Sequence, residues 1–145
     1  MKKLSLMGIL LLGTITMAHG DVSDNVAKLK STKQCPGCDL HGADLHFAHL
    51  KGANLEGANL TGAYLHGANL SSAFLARAIL RGAILARAIL RGAILRGASL
   101  SSADLRGADL NGADLYKAHL RDADLTYAIG TDGRMCAQGS IGGCN

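Results

Sequence analysis

Apolar positions along this chain recur in a fixed five-residue pattern. From Leu40 to Leu125 every fifth residue is Leu, and from Leu45 onward an Ala precedes each Leu by two positions. The unit therefore reads Ala, variable, Leu, variable, small, as in residues 53–57 (Ala-Asn-Leu-Glu-Gly). Gly fills the small position after 10 of these 18 leucines. Such regularity predicts a repeat protein, in which each unit stacks on its neighbours.

The five-residue spacing fits neither a regular helix nor a plain strand. On an α-helix a five-residue step rotates by about 140°, so the leucines would form no stripe, and each Gly would cost roughly 1 kcal/mol. A strand needs apolar spacing of two, whereas here the spacings alternate between two and three. The pattern instead predicts short extended segments with Ala and Leu inward, joined by corners at the two residues after each Leu. Stacked at about 4.7–4.9 Å, such coils form a solenoid with flat sides.

The tandem units resemble the pentapeptide-repeat family. The resemblance rests on uninterrupted Ala-(Asp or Asn)-Leu-x-x units across residues 39–129. It implies an all-β fold, a right-handed quadrilateral β-helix with four units per coil, about four to five coils and small terminal caps. The residues themselves leave three or four sides open, because residues 73–82 nearly repeat in 83–92 at a lag of ten. With four sides the rod would be on the order of 20 Å long.

The N-terminus is predicted to be a signal peptide rather than part of the rod. Lys2 and Lys3 are followed by a mostly apolar stretch over residues 4–17 and by small residues just before Asp21. This arrangement is typical of a secretory signal peptide spanning residues 1–20. The alternative, a retained membrane helix, needs about 20 apolar residues, and this stretch is shorter. We therefore expect export to the periplasm or the exterior, without stable membrane insertion after cleavage.

Residues 21–38 are predicted to form an N-terminal cap. They are mostly polar, and Ser23 is a candidate cap for a short helix with Val22, Val26 and Leu29 on one side. A solenoid needs such caps because its first and last coils expose sheet edges and core.

Four cysteines flank the ladder, and an even count in an exported chain indicates disulfides. Cys35 and Cys38 precede the first unit, while Cys136 and Cys144 lie in a Gly-rich C-terminal cap, residues 130–145. If the rod separates the pairs by about 20 Å, only partners at the same end can bridge, since bonded Cα atoms lie within about 7 Å. We therefore pair Cys35 with Cys38 and Cys136 with Cys144. The alternative for Cys-x-x-Cys is a redox centre or half a zinc site, which usually needs a following helix or four converging ligands.

The outward position just before each Leu changes character at mid-rod. It holds Asp or Asn in 9 of 18 units, but large apolar residues in the middle, and no acidic residue occurs between Glu56 and Asp104. On a four-sided coil, residues twenty apart stack. We call the following set the belt: Tyr64, Phe74, Ile79, Ile84, Ile89, Ile94, Arg77, Arg81, Arg87, Arg91 and Arg96. Exposed apolar patches mark interfaces, so the belt predicts a contact surface; the alternative is a neutral duplication of one block.

Four histidines, His41, His46, His49 and His66, occur near the first coils. On four sides His46 and His66 would stack, and two or three imidazoles can bind a transition metal. Solvated surface histidines are the interpretation we adopt, because no local Cys or carboxylate constellation accompanies them. We predict no metal site and no cofactor.

The sequence thus predicts a non-enzymatic exported solenoid that serves as a structural or protein-interaction module. The expected partner is an unidentified protein or a second copy. No nucleophile elbow or metalloprotease motif occurs, and the outward carboxylates are dispersed. A metal or thiol-redox protein is one alternative.

A gyrase-directed DNA mimic is another alternative, because some pentapeptide-repeat proteins present acidic surface. This chain departs from them: its formal charge is +4, and removing Lys2 and Lys3 with residues 1–20 leaves +2. With few aromatic residues for base stacking, nucleic-acid binding is not expected.

Overall fold

A computed structural model describes residues 21–144, and the predicted signal peptide lies outside this range. The described chain consists of one helix, α1 (Val22–Thr32), followed by a ladder of isolated β-bridges. Within residues 21–144 no helix is long and apolar enough to cross a membrane.

The ladder is a coil with four sides. Each outward residue forms a parallel bridge to the residue 20 positions further, from Gln34 with Asn54 to Asp109 with Ile129. Four units of five residues therefore complete one coil, which excludes three sides. At each bridge, each of the two stacked coils donates one backbone N–H to the other. At the bridge between Asp44 and Tyr64, Tyr64 N–H donates to the Ala43 carbonyl (2.9 Å) and Leu45 N–H donates to the Tyr64 carbonyl (2.8 Å).

Outward residues stack into four columns, which we call faces 1 to 4, and the two residues after each Leu form the corners between them. The faces are: face 1, Gln34, Asn54, Phe74, Ile94 and Asp114; face 2, Asp39, Asn59, Ile79, Ser99 and His119; face 3, Asp44, Tyr64, Ile84, Asp104 and Asp124; face 4, His49, Asn69, Ile89, Asp109 and Ile129.

The core consists of the inward Ala and Leu columns. Every ladder Leu from Leu40 to Leu110 is buried, and so is Leu125, whereas Leu115 and Leu120 are only partly buried. Burying one Leu contributes about 1.5–3 kcal/mol before entropy is subtracted. The second corner residue has a left-handed backbone, for example φ 63° at Gly67, which explains the preference for Gly there.

The N-terminal cap is α1 with its apolar side on the core. Leu29 is fully buried and Val22 and Val26 pack partly buried beside it, as predicted. The prediction that Ser23 caps the helix is wrong. Asp21 takes the cap position because its backbone is extended (ψ 150°), and the Ser23 hydroxyl instead donates to the Asp21 carboxylate at 2.8 Å.

The C-terminal cap reverses the chain direction and covers two of the four faces. Gly130 N–H donates to the Arg134 carbonyl (2.7 Å), which closes the reversal. Met135 then forms an antiparallel bridge with Ile129 on face 4, and Ile141 forms one with Asp124 on face 3.

Candidate functional site

The belt encircles the rod. Ile79, Ile84, Ile89 and Ile94 lie one on each face. Tyr64 stacks beside Ile84 on face 3 and Phe74 beside Ile94 on face 1, as the spacing predicted. The apolar belt residues with the largest exposed fractions are Phe74 (49%), Tyr64 (43%), Ile79 (40%) and Ile89 (37%).

Outward Asp and Asn residues have a structural role that the belt lacks. In all nine units that carry one, its side-chain oxygen accepts the backbone N–H two residues further on, as at Asn54 with Glu56 (3.2 Å) and Asp124 with Thr126 (2.9 Å). This hydrogen bond fixes the corner. Isoleucine, tyrosine and phenylalanine cannot accept it, so the belt gives up a corner hydrogen bond in each of its six units. Corner hydrogen bonding therefore does not account for the residue types of the belt.

Two belt arginines are held by carboxylates of the next coil. Arg91 lies 3.4 Å from Asp109, and Arg96 pairs with Asp114. Arg77, Arg81 and Arg87 make no ion pair within the described part of the chain. These three positive charges are therefore available to a partner.

The acidic residues beyond the belt are largely neutralised. Arg106 donates two hydrogen bonds to Asp104, at 2.8 and 2.7 Å, and lies 3.8 Å from Asp124. These hydrogen bonds hold the pKa of Asp104 below its usual value, and the hydrogen bond from Arg96 similarly lowers the pKa of Asp114. The carboxylates stay ionised but are paired with arginine. The part of the rod beyond the belt therefore presents its carboxylates mainly as ion pairs with arginine.

A groove of about 600 Å³ opens at the corner between faces 3 and 4. Its lining includes His66, Ile84, Ala86, Arg87 and Tyr127. Ala86 is small where the adjacent coils hold His66 and Arg106 in the same corner column, which leaves room for the groove. Neither this groove nor the role of Tyr127 was predicted, although an alanine between His66 and Arg106 in one corner column is visible in the sequence.

Aromatic and imidazole rings stack at the first corner between faces 3 and 4. His46 lies 5.5 Å from Tyr64, and the predicted stacking of His46 beside His66 places their centroids 6.4 Å apart. The Phe47 ring contacts His66 edge-on and lies over Gly67, where a Cβ atom would come within 2.5 Å of it. Nδ1 of His46 is held at 2.7 Å by Asp44. Among residues 21–144 no group of three His, Cys, Asp or Glu side chains could hold a metal ion.

Both cysteine pairs lie at disulfide distance with the predicted partners. The Cα atoms of Cys35 and Cys38 are 5.3 Å apart, and those of Cys136 and Cys144 are 4.9 Å apart. The first pair follows α1 and leads into the ladder, unlike a redox pair at a helix N-terminus. The geometry fits two structural disulfides, one in each terminal cap.

A family model described as Pentapeptide repeats matches this chain in eight copies, over residues 38–75, 58–97 and 98–129. The chain belongs to the pentapeptide repeat family. The matches cover more than half of the chain and coincide with the ladder of bridges that spans residues 34–129. Members of this family are generally structural or interaction modules. The predicted resemblance is therefore confirmed.

Several solved pentapeptide repeat structures are similar to this chain. One from the cyanobacterium Cyanothece 51142 is 29% identical with a TM-score of 0.40, and the match covers 72% of this chain and 95% of that protein. One from the Arabidopsis thaliana thylakoid lumen is 30% identical with a TM-score of 0.39, covering 66% and 68% respectively. QnrB1, a plasmid-mediated fluoroquinolone resistance protein, is 27% identical with a TM-score of 0.45, covering 66% of this chain and 45% of QnrB1. A search of curated proteins gives no match.

Proposed function

We propose that this pentapeptide repeat protein is an exported, non-enzymatic interaction module whose belt binds a protein with an acidic and apolar surface. We infer that its rod is a right-handed quadrilateral β-helix of about four to five coils. The main observation in support is that the belt residues lack the corner hydrogen bonds made by Asp and Asn and instead expose apolar side chains. We infer that the apolar side chains exposed in place of these hydrogen bonds serve contact with another molecule.

The charges of the belt specify the kind of partner. Arg77 follows Phe74 on the corner next to face 1, and its side chain lies over Gly97. Arg81 and Arg87 extend the positive charge to the next two corners, without an ion pair among residues 21–144. Exposed apolar side chains with arginines at their margin suit an acidic partner surface with an apolar centre.

The distribution of titratable groups supports a binding role over catalysis. Asp104, Asp109 and Asp114 lie on three different faces, and each is paired with an arginine. A catalytic pair of carboxylates would have to converge on one reacting atom. These carboxylates instead stabilise the rod.

Export is supported by two independent features of the chain. Residues 1–20 have the composition of a secretory signal. The two cysteine pairs at disulfide distance suit an oxidising compartment. Mass spectrometry of the protein from the exported fraction should give an N-terminus at Asp21. An intact Met1 in the cytosolic fraction would contradict export.

Affinity capture with matched variants tests the belt. Phe74→Asn with Ile94→Asp introduces residue types that face 1 already carries at Asn54 and Asp114, so the rod should still fold. We expect partners captured from the exported fraction by the wild type to be lost with this variant. Replacing Arg77, Arg81 and Arg87 by Gln should weaken capture and make it less sensitive to salt.

The control for the capture experiment is Ser99→Asp, which adds a negative charge to face 2 outside the belt. It should retain the partners. If both belt variants capture the same proteins as the wild type, the belt is not the interface.

A further inference from the structure

One six-residue sequence occurs twice at mid-rod, in different surroundings. Residues 75–80 and 85–90 both read Leu-Ala-Arg-Ala-Ile-Leu. Ala76 in the first copy is partly exposed, whereas Ala86 in the second copy is buried. Because the local sequence is the same, this difference comes from the neighbouring coils. Of these two alanines, Ala86 is the one that lines the groove between faces 3 and 4.

The groove extends along the rod axis. Its lining starts at His66, one coil before Ala86, and reaches Tyr127, two coils after it. Three coil spacings of about 4.7–4.9 Å give the groove a length of roughly 14 Å. Alternate residues of an extended chain project to the same side about 6.6–6.8 Å apart. The groove therefore has the length to accept three side chains from one side of such a chain.

The backbone N–H of Ala86 lacks the acceptor that Asp and Asn provide at other corners. One coil later, Arg106 N–H donates to the Asp104 carboxylate at 3.1 Å. Ile84 takes the place of that Asp before Ala86, and the Ala86 N–H makes no hydrogen bond within residues 21–144. Buried backbone donors are almost always paired. An acceptor from a bound molecule would therefore complete the pattern of the other corners.

The charges in the groove favour an acidic acceptor. Arg106 is neutralised by Asp104, to which it donates hydrogen bonds at 2.8 and 2.7 Å. Arg87 makes no ion pair within the described part of the chain, and its Cγ lies 3.7 Å from the position that a Cβ atom would take at Gly107. One positive charge thus remains uncompensated beside the unpaired N–H. A carboxylate can accept hydrogen bonds from both groups.

Apolar surface flanks these two donors. Ile84 is partly buried on face 3, and the Tyr127 ring is exposed at the far end of the lining. Arg87 and Tyr127 both have left-handed backbones, with φ 58° and 59°, at the corner position that Gly adopts more readily. Isoleucine and a tyrosine ring can pack against apolar side chains on either side of a bound carboxylate.

We propose that the groove binds an extended acidic segment of the belt's partner protein, whose carboxylate replaces the side-chain oxygen that Ile84 cannot supply. The carboxylate accepts the Ala86 N–H and pairs with Arg87. Apolar side chains two residues before and after it pack on Ile84 and on the Tyr127 ring. The recognised motif is apolar, any, acidic, any, apolar. This inference rests on the proposed function and specifies which part of the partner the belt binds.

A peptide segment suits this groove better than a small anion or a nucleic acid. Acetate or phosphate would occupy the donors at Ala86 and Arg87 and leave most of the roughly 14 Å lining uncovered. A nucleic-acid strand carries a phosphate at every nucleotide, whereas Arg87 is the one arginine of this lining without an ion pair among residues 21–144. Ile84 and Arg87 are also belt residues, so the groove continues the proposed interface.

Calorimetric titration of the purified exported protein with blocked peptides tests this site. The probe is acetyl-Phe-Ala-Asp-Ala-Phe-amide, which carries the motif in either chain direction. We expect saturable binding of this peptide. Replacing its Asp by Asn should weaken binding at least tenfold, a change of about 1.4 kcal/mol, because the charge that pairs with Arg87 is lost.

Two substitutions should close the groove without disturbing the rod. Ala86→Arg introduces the residue type that Arg106 provides one coil later, and its side chain fills the notch. Ile84→Asp supplies an internal carboxylate for the same N–H, as Asp104 does one coil later. Each should weaken binding of the Asp peptide at least tenfold. Circular dichroism and the thermal unfolding midpoint should show that both variants remain folded.

The matched controls lie outside the groove. Ala76→Arg makes the same change in the identical six-residue sequence, where Glu56 takes the place of His66 one coil earlier and would repel an acidic ligand. Lys117→Gly removes a positive charge from the corner position that corresponds to Arg87. Both variants should bind the Asp peptide like the wild type. Arg87→Gly, in contrast, should weaken binding at least tenfold.

Several outcomes would overturn the groove as a peptide site. These are equal binding of the Asp and Asn peptides, unchanged binding by folded Ala86→Arg, and binding of acetate or inorganic phosphate as tight as that of the peptide. Capture lost with the Phe74→Asn and Ile94→Asp variant but kept with Ala86→Arg would refute the groove and leave the belt function standing. Peptide binding that depends on Ala86, without capture of any partner, would support the groove and contradict the belt function.

Discussion

At the scale of single residues, the outward position determines how firmly each corner is held. Asp or Asn there accepts the corner N–H two residues on, and the short distance at Asp124 with Thr126 (2.9 Å) shows how well the side chain reaches it. The main role of these Asp and Asn side chains is therefore to hold the corner, and the negative charge of Asp is not needed for it. The sequence showed their spacing, but their bonding became visible only when the corner geometry was known.

We expect Ile79→Asn to stabilise the rod relative to Ile79→Ala. Asn restores the hydrogen bond to the Arg81 N–H, as Asn59 does for Thr61 on the same face, whereas Ala provides no acceptor. The difference should be roughly 0.5–1.5 kcal/mol in the free energy of unfolding, measured with denaturant. Equal stabilities of the two variants would contradict the structural role of the outward Asx side chain.

At the scale of elements, the two caps close the solenoid by different means. The N-terminal cap is a helix whose buried Leu29 packs into the hydrophobic core. The C-terminal cap is a reversed segment whose Met135 and Ile141 are exposed, held by backbone hydrogen bonds and the Cys136–Cys144 pair. The sequence predicted both caps and their cysteine partners, because the rod separates the pairs. It placed the helix cap two residues too late, at Ser23 instead of Asp21, since Ser and Asp are both good helix caps.

We expect Cys136→Ser with Cys144→Ser to detach the C-terminal cap without unfolding the rod. Loss of this cross-link across eight residues should cost roughly 2–3 kcal/mol in chain entropy. Hydrogen exchange should then expose the amides of Leu125 and Cys136 while the amide of Leu85 stays protected. The matched variant, Cys35→Ser with Cys38→Ser, should leave the amides of the C-terminal cap protected.

At the scale of the whole molecule, burial is uniform along the rod and falls only at its C-terminal end. Leu85 is fully buried and Leu120 is not, although both occupy the same position in the five-residue unit. No local sequence feature distinguishes them. The difference arises because the cap covers faces 3 and 4 and leaves face 2, where Leu120 follows His119, without a strand above it.

We expect Leu85→Ala to cost about 3–5 kcal/mol in the free energy of unfolding, because it leaves a cavity in a closed core. Leu120→Ala should cost roughly half as much in dilute protein, since part of its side chain is already in water. Unfolding at low protein concentration measures both. Equal costs for the two substitutions would show that the C-terminal end is closed in solution.

The sequence by itself determined the solenoid and its inward and outward positions, because a five-residue apolar period has few structural solutions. It also determined where the belt lies and which cysteines can meet. Only the tertiary structure decided that a coil has four sides, since the bridge offset of 20 residues has no signature within one unit. It also decided which arginines are free, because Arg91 and Arg96 find carboxylates 18 positions away on the next coil. The half-covered end likewise depends on the reversal at Gly130, since contacts between coils are set by chain geometry and not by local pattern.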